Sequence, residues 1–231
     1  MNEKQNGLNS LSEQLLLNVK LKKDTSDIQL QLENLEAEDL KNNLINDQKK
    51  KAFWINIYNA YFQILRIEKK IGKPDIYKKK TFKIAKELMS LDDVEHGVLR
   101  KGKFKYSLGF FRNFFTSDFI KKLEVDELDY RIHFALNCGA KSCPPIAFYN
   151  SEKINQQLDM ATQAFLESES DFDDQNKIVR TTALFKWFYA DFGRTKGIKR
   201  IYKEQLDKNI SDYKLKFKEY SWEEDLENFV T

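Results

Sequence analysis

The 231-residue sequence predicts a helix-dominated α+β fold: a single domain with a small sheet and an N-terminal helical arm. Three observations carry this. A long apolar segment from about residue 48 to 70 has helical spacing, short alternating segments appear only in the second half, and helices and strands mix without repeated βαβ units. Hydrophobic residues make up 41% and aromatics 13%, with 18 Phe and 10 Tyr, enough to bury a sizeable core. Eight Gly and three Pro leave little material for flexible linkers. Residues 1–45 read as the arm and 46–231 as the main domain.

In the arm, Leu11, Leu15 and Val19, then Ile28, Leu32 and Leu35 after a turn at 24–26, recur at helical spacing. These segments are too short to stand alone and need the main domain to pack on. In the 48–70 helix, Phe53, Ile57, Tyr61, Ile64 and Leu65 form one row and Trp54, Tyr58 and Phe62 a second, the pattern of a buried helix. One polar stripe of Asn56, Asn59, Gln63 and Arg66 shares a face. Gly72 and Pro74 supply the stop.

Ser90-Leu91-Asp92-Asp93 has the form of a capped helix start, followed by a short helix carrying Glu95, His96 and Arg100. Residues 106–119 are aromatic-rich without a clear period. From Tyr130 to Asn137, apolar Ile132, Phe134 and Leu136 alternate with Arg131, His133 and Ala135, which predicts a half-buried strand. Gly139, Pro144 and Pro145 make the next segment a loop. A helix capped by Asn150 or Ser151 and lined by Ile154, Leu158, Ala161 and Phe165 follows. Then come a strand at 177–181, an aromatic helix at 184–192, a helix at 198–206 and a half-exposed strand at 213–217.

Charge and cysteine usage narrow the function classes. Thirty-nine basic residues nearly balance thirty-six acidic ones, for a net charge of +3, so nucleic acid is not an expected partner. The stretch 52–57 is broken by Asn56, and no segment reads as a membrane span. The N-terminus lacks a signal-peptide pattern, so the sequence as written reads as cytoplasmic, or as exported if a signal peptide preceded it. Two cysteines, Cys138 and Cys143, and two histidines, His96 and His133, lack metal-ligand spacing, so neither a metal nor a cofactor is expected. A 138–143 disulfide is sterically accessible, but a reducing cytoplasm favours free thiols.

Residues 54–60, 91–100 and 131–145 together are similar, in order and wording, to the domain-of-unknown-function 547 family. The resemblance covers roughly residues 45–185, and the aromatic-acidic ending around Tyr220 and Trp222 also looks familial. It implies no agreed activity. Members occur in bacteria, plants and animals, sometimes joined to coiled-coil or signalling segments, which implies either an enzyme or an interaction module.

Within these segments the expected catalytic set is Cys138 as nucleophile, His96 as base, and Asn56 or Asn59 orienting the imidazole or binding an oxyanion. Glu95, Arg100, His133 and Gly139 are the expected binding residues, with amides near Gly139 facing an oxyanion. The corresponding function is a Cys-His hydrolase or acyl-transferase acting on an acyl or amide-like group of a small-molecule or peptide ligand. The alternative is a non-catalytic protein- or peptide-interaction module, using the 106–119 stretch as a groove.

Overall fold

The computed structural model describes residues 7–230. The chain runs α1 (Gly7–Lys20), α2 (Ser26–Glu33), α3 (Ala37–Asn43) and α4 (Asp47–Gln63), which passes directly into a π-helical turn, Ile64–Glu68. Then follow α5 (Asp75–Lys78), β1 (Phe82–Ile84), β2 (Glu87–Met89) and a second π-helical stretch, Asp93–Leu99. After α6 (Asp118–Leu123) and a 3₁₀ turn at Tyr130–Phe134 come α7 (Ile154–Glu169), β3 (Asp171–Asp173), β4 (Ile178–Thr181), α8 (Leu184–Trp187), α9 (Arg194–Leu206) and β5 (Lys214–Phe217). β1 and β2 form an antiparallel pair. A second sheet has the order β3-β4-β5, antiparallel then parallel. The class is α+β, as the sequence predicts.

α4 is the axis of the molecule. Every residue from Lys51 to Gln63 is buried, because both apolar rows find neighbours: Phe53 meets Trp54 edge-on at 4.9 Å between ring centres, and Tyr61 stacks on Phe82 of β1 at 4.1 Å. Lys51 is buried with its charge met by Asp129 at 2.6 Å. The arm helix α1 lies against α4, with Leu15 and Leu16 fully buried and Asn9 Nδ2 donating to the Lys49 carbonyl at 3.0 Å. A second apolar cluster gathers Phe134, Phe165, Phe185, Phe192 and Tyr202 between α7, α8 and α9.

The buried amides of α4 then organise the loops beyond it. Asn56 clasps the backbone of Tyr149, donating from Nδ2 to its carbonyl at 2.8 Å and accepting its N–H at 3.0 Å. Asn59 does the same one turn on, donating to the Ala135 carbonyl at 3.0 Å and accepting from the Asn137 N–H at 2.9 Å. Asn137 continues the relay, donating to the Pro144 carbonyl at 2.8 Å and accepting the Gly139 N–H at 2.7 Å. Backbone groups that lie outside helix or sheet need such partners when buried.

Three expected elements differ. Residues 130–137 are not a strand: the Asp129 side chain accepts from the Arg131 N–H at 3.1 Å and starts a 3₁₀ turn. The polar-apolar alternation did not mark an inside and an outside, because residues 132–137 are all buried. The 184–192 helix stops at Trp187 and gives way to turns that end at Gly193, with φ of 72°. Helix α7 begins at Ile154, and Asn150 instead holds the preceding turn, its Oδ1 accepting from the Glu152 N–H at 3.0 Å.

Replacing Phe53 with Ala is expected to cost about 3–5 kcal/mol in urea unfolding, from lost burial plus the cavity left behind. Asn59→Ala should cost about 2–4 kcal/mol, because it strands a buried carbonyl and a buried N–H together. Amide exchange should place the Asn59→Ala loosening at residues 135–139, with α9 unaffected.

Candidate functional site

A cleft of about 390 Å³ opens where α4, the second π-helical stretch, the 136–144 loop, α8 and the C-terminal segment meet. Glu95 and His96 come from the π-helical stretch, which starts with a reciprocal cap: the Ser90 N–H donates to Asp93 Oδ2 at 2.9 Å and the Asp93 N–H to Ser90 Oγ at 3.1 Å. The wider π turn is closed by bonds from the Arg100 N–H to the Glu95 carbonyl at 2.8 Å and from the Gly102 N–H to the Gly97 carbonyl at 2.7 Å. Such turns recur at functional sites. One wall is aromatic, with Trp187 and Trp222 stacked at 5.6 Å and Tyr220 at 4.7 Å from both. Tyr58, Tyr77 and Lys105 complete the polar side.

The electrostatics separate the ionisable groups sharply. Glu95 is raised from its ordinary 4.5 to about 7, chiefly by burial, although the Arg100 charge and a hydrogen bond from Tyr58 Oη at 3.3 Å pull the other way. Its carboxyl is therefore half-ionised near neutrality. Burial and then the charges of Arg100 and Lys105 push His96 well below its usual range, so it is a neutral imidazole. Its Nδ1 faces the Arg100 Nη1 donor at 2.8 Å, which makes Nδ1 the acceptor and places the proton on Nε2. Burial also lowers His133, against the pull of Asp191, so it too is neutral.

Below the cleft Arg100 is fully buried, bonded to Asp191 Oδ2 at 2.6 Å and lying 4.6 Å over the Phe188 ring. His133 Nε2 meets the same Asp191 oxygen at 3.0 Å and its ring stacks on Phe188 at 3.9 Å. Burial alone would raise Asp191, but the His133 hydrogen bond and the Arg100 pair outweigh it and hold the carboxylate below its ordinary value. Since His133 is neutral, Arg100 is the countercharge and His133 the neutral donor. At the rim, Lys105 pairs with Asp92.

Of the residues singled out in the sequence, the fold brings Glu95, His96, His133 and Cys138 to the cleft wall. Asn56, Asn59, Arg100 and Gly139 do not line it. The two asparagines are committed to backbone, as described above, and Arg100 acts from behind His96 and Asp191. Gly139 holds φ of 67°, and a Cβ there would meet Phe62 at 2.5 Å and Leu226 at 2.8 Å. Its N–H is given to Asn137 Oδ1, so it does not face an oxyanion.

Cys138 and Cys143 are joined in a disulfide, with Cα atoms 6.1 Å apart, which corrects the expectation of free thiols. The physical reason is the turn between them: the Cys143 N–H returns to the Ala140 carbonyl at 2.8 Å while Asn137 grips both ends of the loop. A sulfur so bonded carries no thiolate. The hydrogen-bonding neighbour of Cys138 Sγ is the Tyr220 hydroxyl at 3.1 Å, not His96. Tyr58, Tyr77, Lys105 and Asp191 escaped the sequence reading. Tyr58 sat in an apolar row and could have been flagged by its phenol, whereas Asp191 had no local signal.

No group of three or more His, Cys, Asp or Glu side chains among the described residues is arranged to hold a metal ion. No helix among them is long and apolar enough to cross a membrane. Neither the curated proteins nor the solved structures contain a match to the chain. The profile of the family described as "Protein of unknown function, DUF547" matches residues 42–166, which hold α4, the Glu95–His96 turn, the 138–143 loop and most of α7. That match spans more than half of the sequence and the segments 54–60, 91–100 and 131–145, though it ends short of residue 185 and of the Tyr220–Trp222 ending, and the chain belongs to this family.

Proposed function

We propose that the cleft is a hydrolase or acyl-transferase site acting on an acyl or amide-like group of a small-molecule or peptide ligand, run by proton transfer at Glu95. The observation that carries this is a buried carboxyl held at about 7 on the wall of an aromatic-lined cleft. A general base works best when its pKa lies near the working pH. Glu95 takes the proton of a water or acceptor hydroxyl as it attacks the acyl carbon, then returns it to the leaving group. Tyr77 and Tyr220 stay protonated because burial raises both, and their O–H groups, which rest on the Cys138 carbonyl and the disulfide sulfurs, turn to the developing oxyanion. His96 is too weak a base for the first step and serves as a neutral donor from Nε2.

This departs from the Cys-His arrangement expected from sequence in one respect. Nucleophilic attack by Cys138 needs its disulfide reduced first, whereas the Glu95 route does not. The disulfide also supports an oxidising compartment over the cytoplasm. The interaction-module reading has one observation of its own, the 104–115 loop, where Phe114 is 88% and Phe115 95% exposed.

A panel of nitrophenyl and amide substrates tests the assignment. Wild type is expected to turn over at least one of them without reductant, with kcat/KM rising with pH through about 7. Glu95→Gln should lose about 10²–10⁴-fold in rate, the usual worth of a general base. Activity that appears only with reductant and disappears in Cys138→Ala would instead establish the thiolate route. No turnover together with retained partner binding through Phe114 would favour the interaction module.

Stability gives an independent check. Unfolding returns Glu95 to its ordinary 4.5, so the folded state holds this proton more tightly. Its contribution is complete below pH 4.5 and is lost as pH rises through about 7. Glu95→Gln should remove this slope and leave the protein more stable than wild type at pH 8, by an amount of order 3 kcal/mol. Equal pH slopes for wild type and Glu95→Gln would contradict the assignment.

A further inference from the structure

Gln63 has no role in the cleft. It ends α4, where the polar stripe of the helix meets the π-helical turn, and it is 1% exposed. Neither Nε2 nor Oε1 of its amide has a hydrogen-bond partner, although both atoms are shut off from bulk solvent. An amide buried without partners is costly and calls for an explanation. Asn56 and Asn59 on the same stripe bond backbone through both their amide nitrogens and oxygens, and Asn56 also donates to Ser12 Oγ at 3.3 Å.

Gln63 lines a second cavity of about 580 Å³, which shares no lining residue with the cleft and falls in the size range of small-ligand sites. Val19, Ile64, Ile67 and Phe229 make its apolar walls. Three lysines line it from the end of α1 and the turn beyond, against the acids Glu68 and Glu227. Lys22 pairs with Glu227 at 2.9 Å, and Lys20 reaches the Val230 carbonyl at 3.2 Å and lies over the Phe229 ring at 5.4 Å. Among the described residues the Lys23 ammonium has no ion-pair partner.

We infer that this cavity is a ligand site for an amide-bearing carboxylate with an apolar side chain, the chemistry shared by N-acyl amino acids and peptide C-termini. Gln63 offers one donor and one acceptor side by side, which matches the two ends of a secondary amide. Lys23 takes the carboxylate, and the apolar walls take the side chain. The orphaned amide thereby gains the partners that the fold does not supply.

The test uses N-acetyl-L-leucine as probe on the full chain, with N-acetyl-L-leucinamide as its uncharged control, followed by calorimetric titration and thermal melts. Saturable binding of N-acetyl-L-leucine is expected, weakened about tenfold or more by the amide control and by Lys23→Ala. Gln63→Leu should abolish binding and yet raise the melting temperature, because it removes an unsatisfied buried amide while keeping the apolar contacts. A melting temperature lowered by Gln63→Leu, binding unchanged in either variant, or equal affinity for the uncharged control would overturn the site. The cavity that takes N-acetyl-L-leucine shares no lining residue with the Glu95 cleft, so Glu95→Gln should leave its affinity unchanged; this separates a failure here from a failure of the proposed chemistry. A tetrapeptide ending in leucine, compared with N-acetyl-L-leucine, distinguishes the two ligand sources by relative affinity.

Discussion

Two side-chain amides on one buried helix, those of Asn56 and Asn59, hold the non-repetitive part of this fold in place. The backbone at 135–149 enters the interior outside any helix or strand, and only at 139–146 does it find distant backbone partners, in isolated bridges to residues 223–230. At Ala135, Asn137 and Tyr149 the partners come from α4, from a face that would otherwise be apolar. Through Asn137 the same relay reaches both ends of the cysteine loop, which fixes the position of the cleft wall carrying Cys138 and Cys143. The π-helical stretch is set against α4 as well, by the Tyr58–Glu95 bond. The cleft thus inherits its shape from a helix that contributes little lining of its own.

The chemistry follows from how charge is distributed around that frame. Arg100 and Asp191 neutralise one another directly below the cleft, and His133 adds a neutral donor to the same Asp191 oxygen. Burial, reinforced by the Arg100 charge bonded to its Nδ1, removes the capacity of His96 as a base. Glu95, in the same surroundings, loses more from burial than it gains from the Arg100 charge, and its proton becomes exchangeable near neutral pH. Burial therefore favours the neutral form of both adjacent residues, 95 and 96, and the Arg100 charge reinforces this at His96 while opposing it at Glu95. Either residue alone reads as an unremarkable polar group on a short helix.

Much of the frame was legible in the sequence because it rests on local signals. The apolar rows of α4, the Ser90–Asp93 cap and the alternation at 213–217 are each written as a pattern within a few residues, and each lies in a helix, a cap or a strand of the fold. The segment 130–137 was misread because its alternation had no buried and exposed faces to report, and Asp129 had already started a turn. The cysteine pair depended on the grip of Asn137 on both ends of its loop. Cys138 and His96 both line one cleft, but nothing local showed that Tyr220 rather than His96 would sit beside the sulfur. Asp191, which organises Arg100 and His133 from the far end of the chain, and the partnerless amide of Gln63 became visible only once distant segments had met.

The central claim is that burial, rather than a neighbouring acid, tunes Glu95 for proton transfer. Its most direct test is to follow the side-chain carboxyl carbon of Glu95 by NMR as pH is raised, assigning it by its loss in Glu95→Gln. The account predicts a midpoint of about 7 in wild type, moving upward in Tyr58→Phe, where the hydrogen bond that favours the ionised form is gone. A midpoint near the ordinary 4.5 would mean that the carboxyl is solvated, and the Glu95 mechanism would fall.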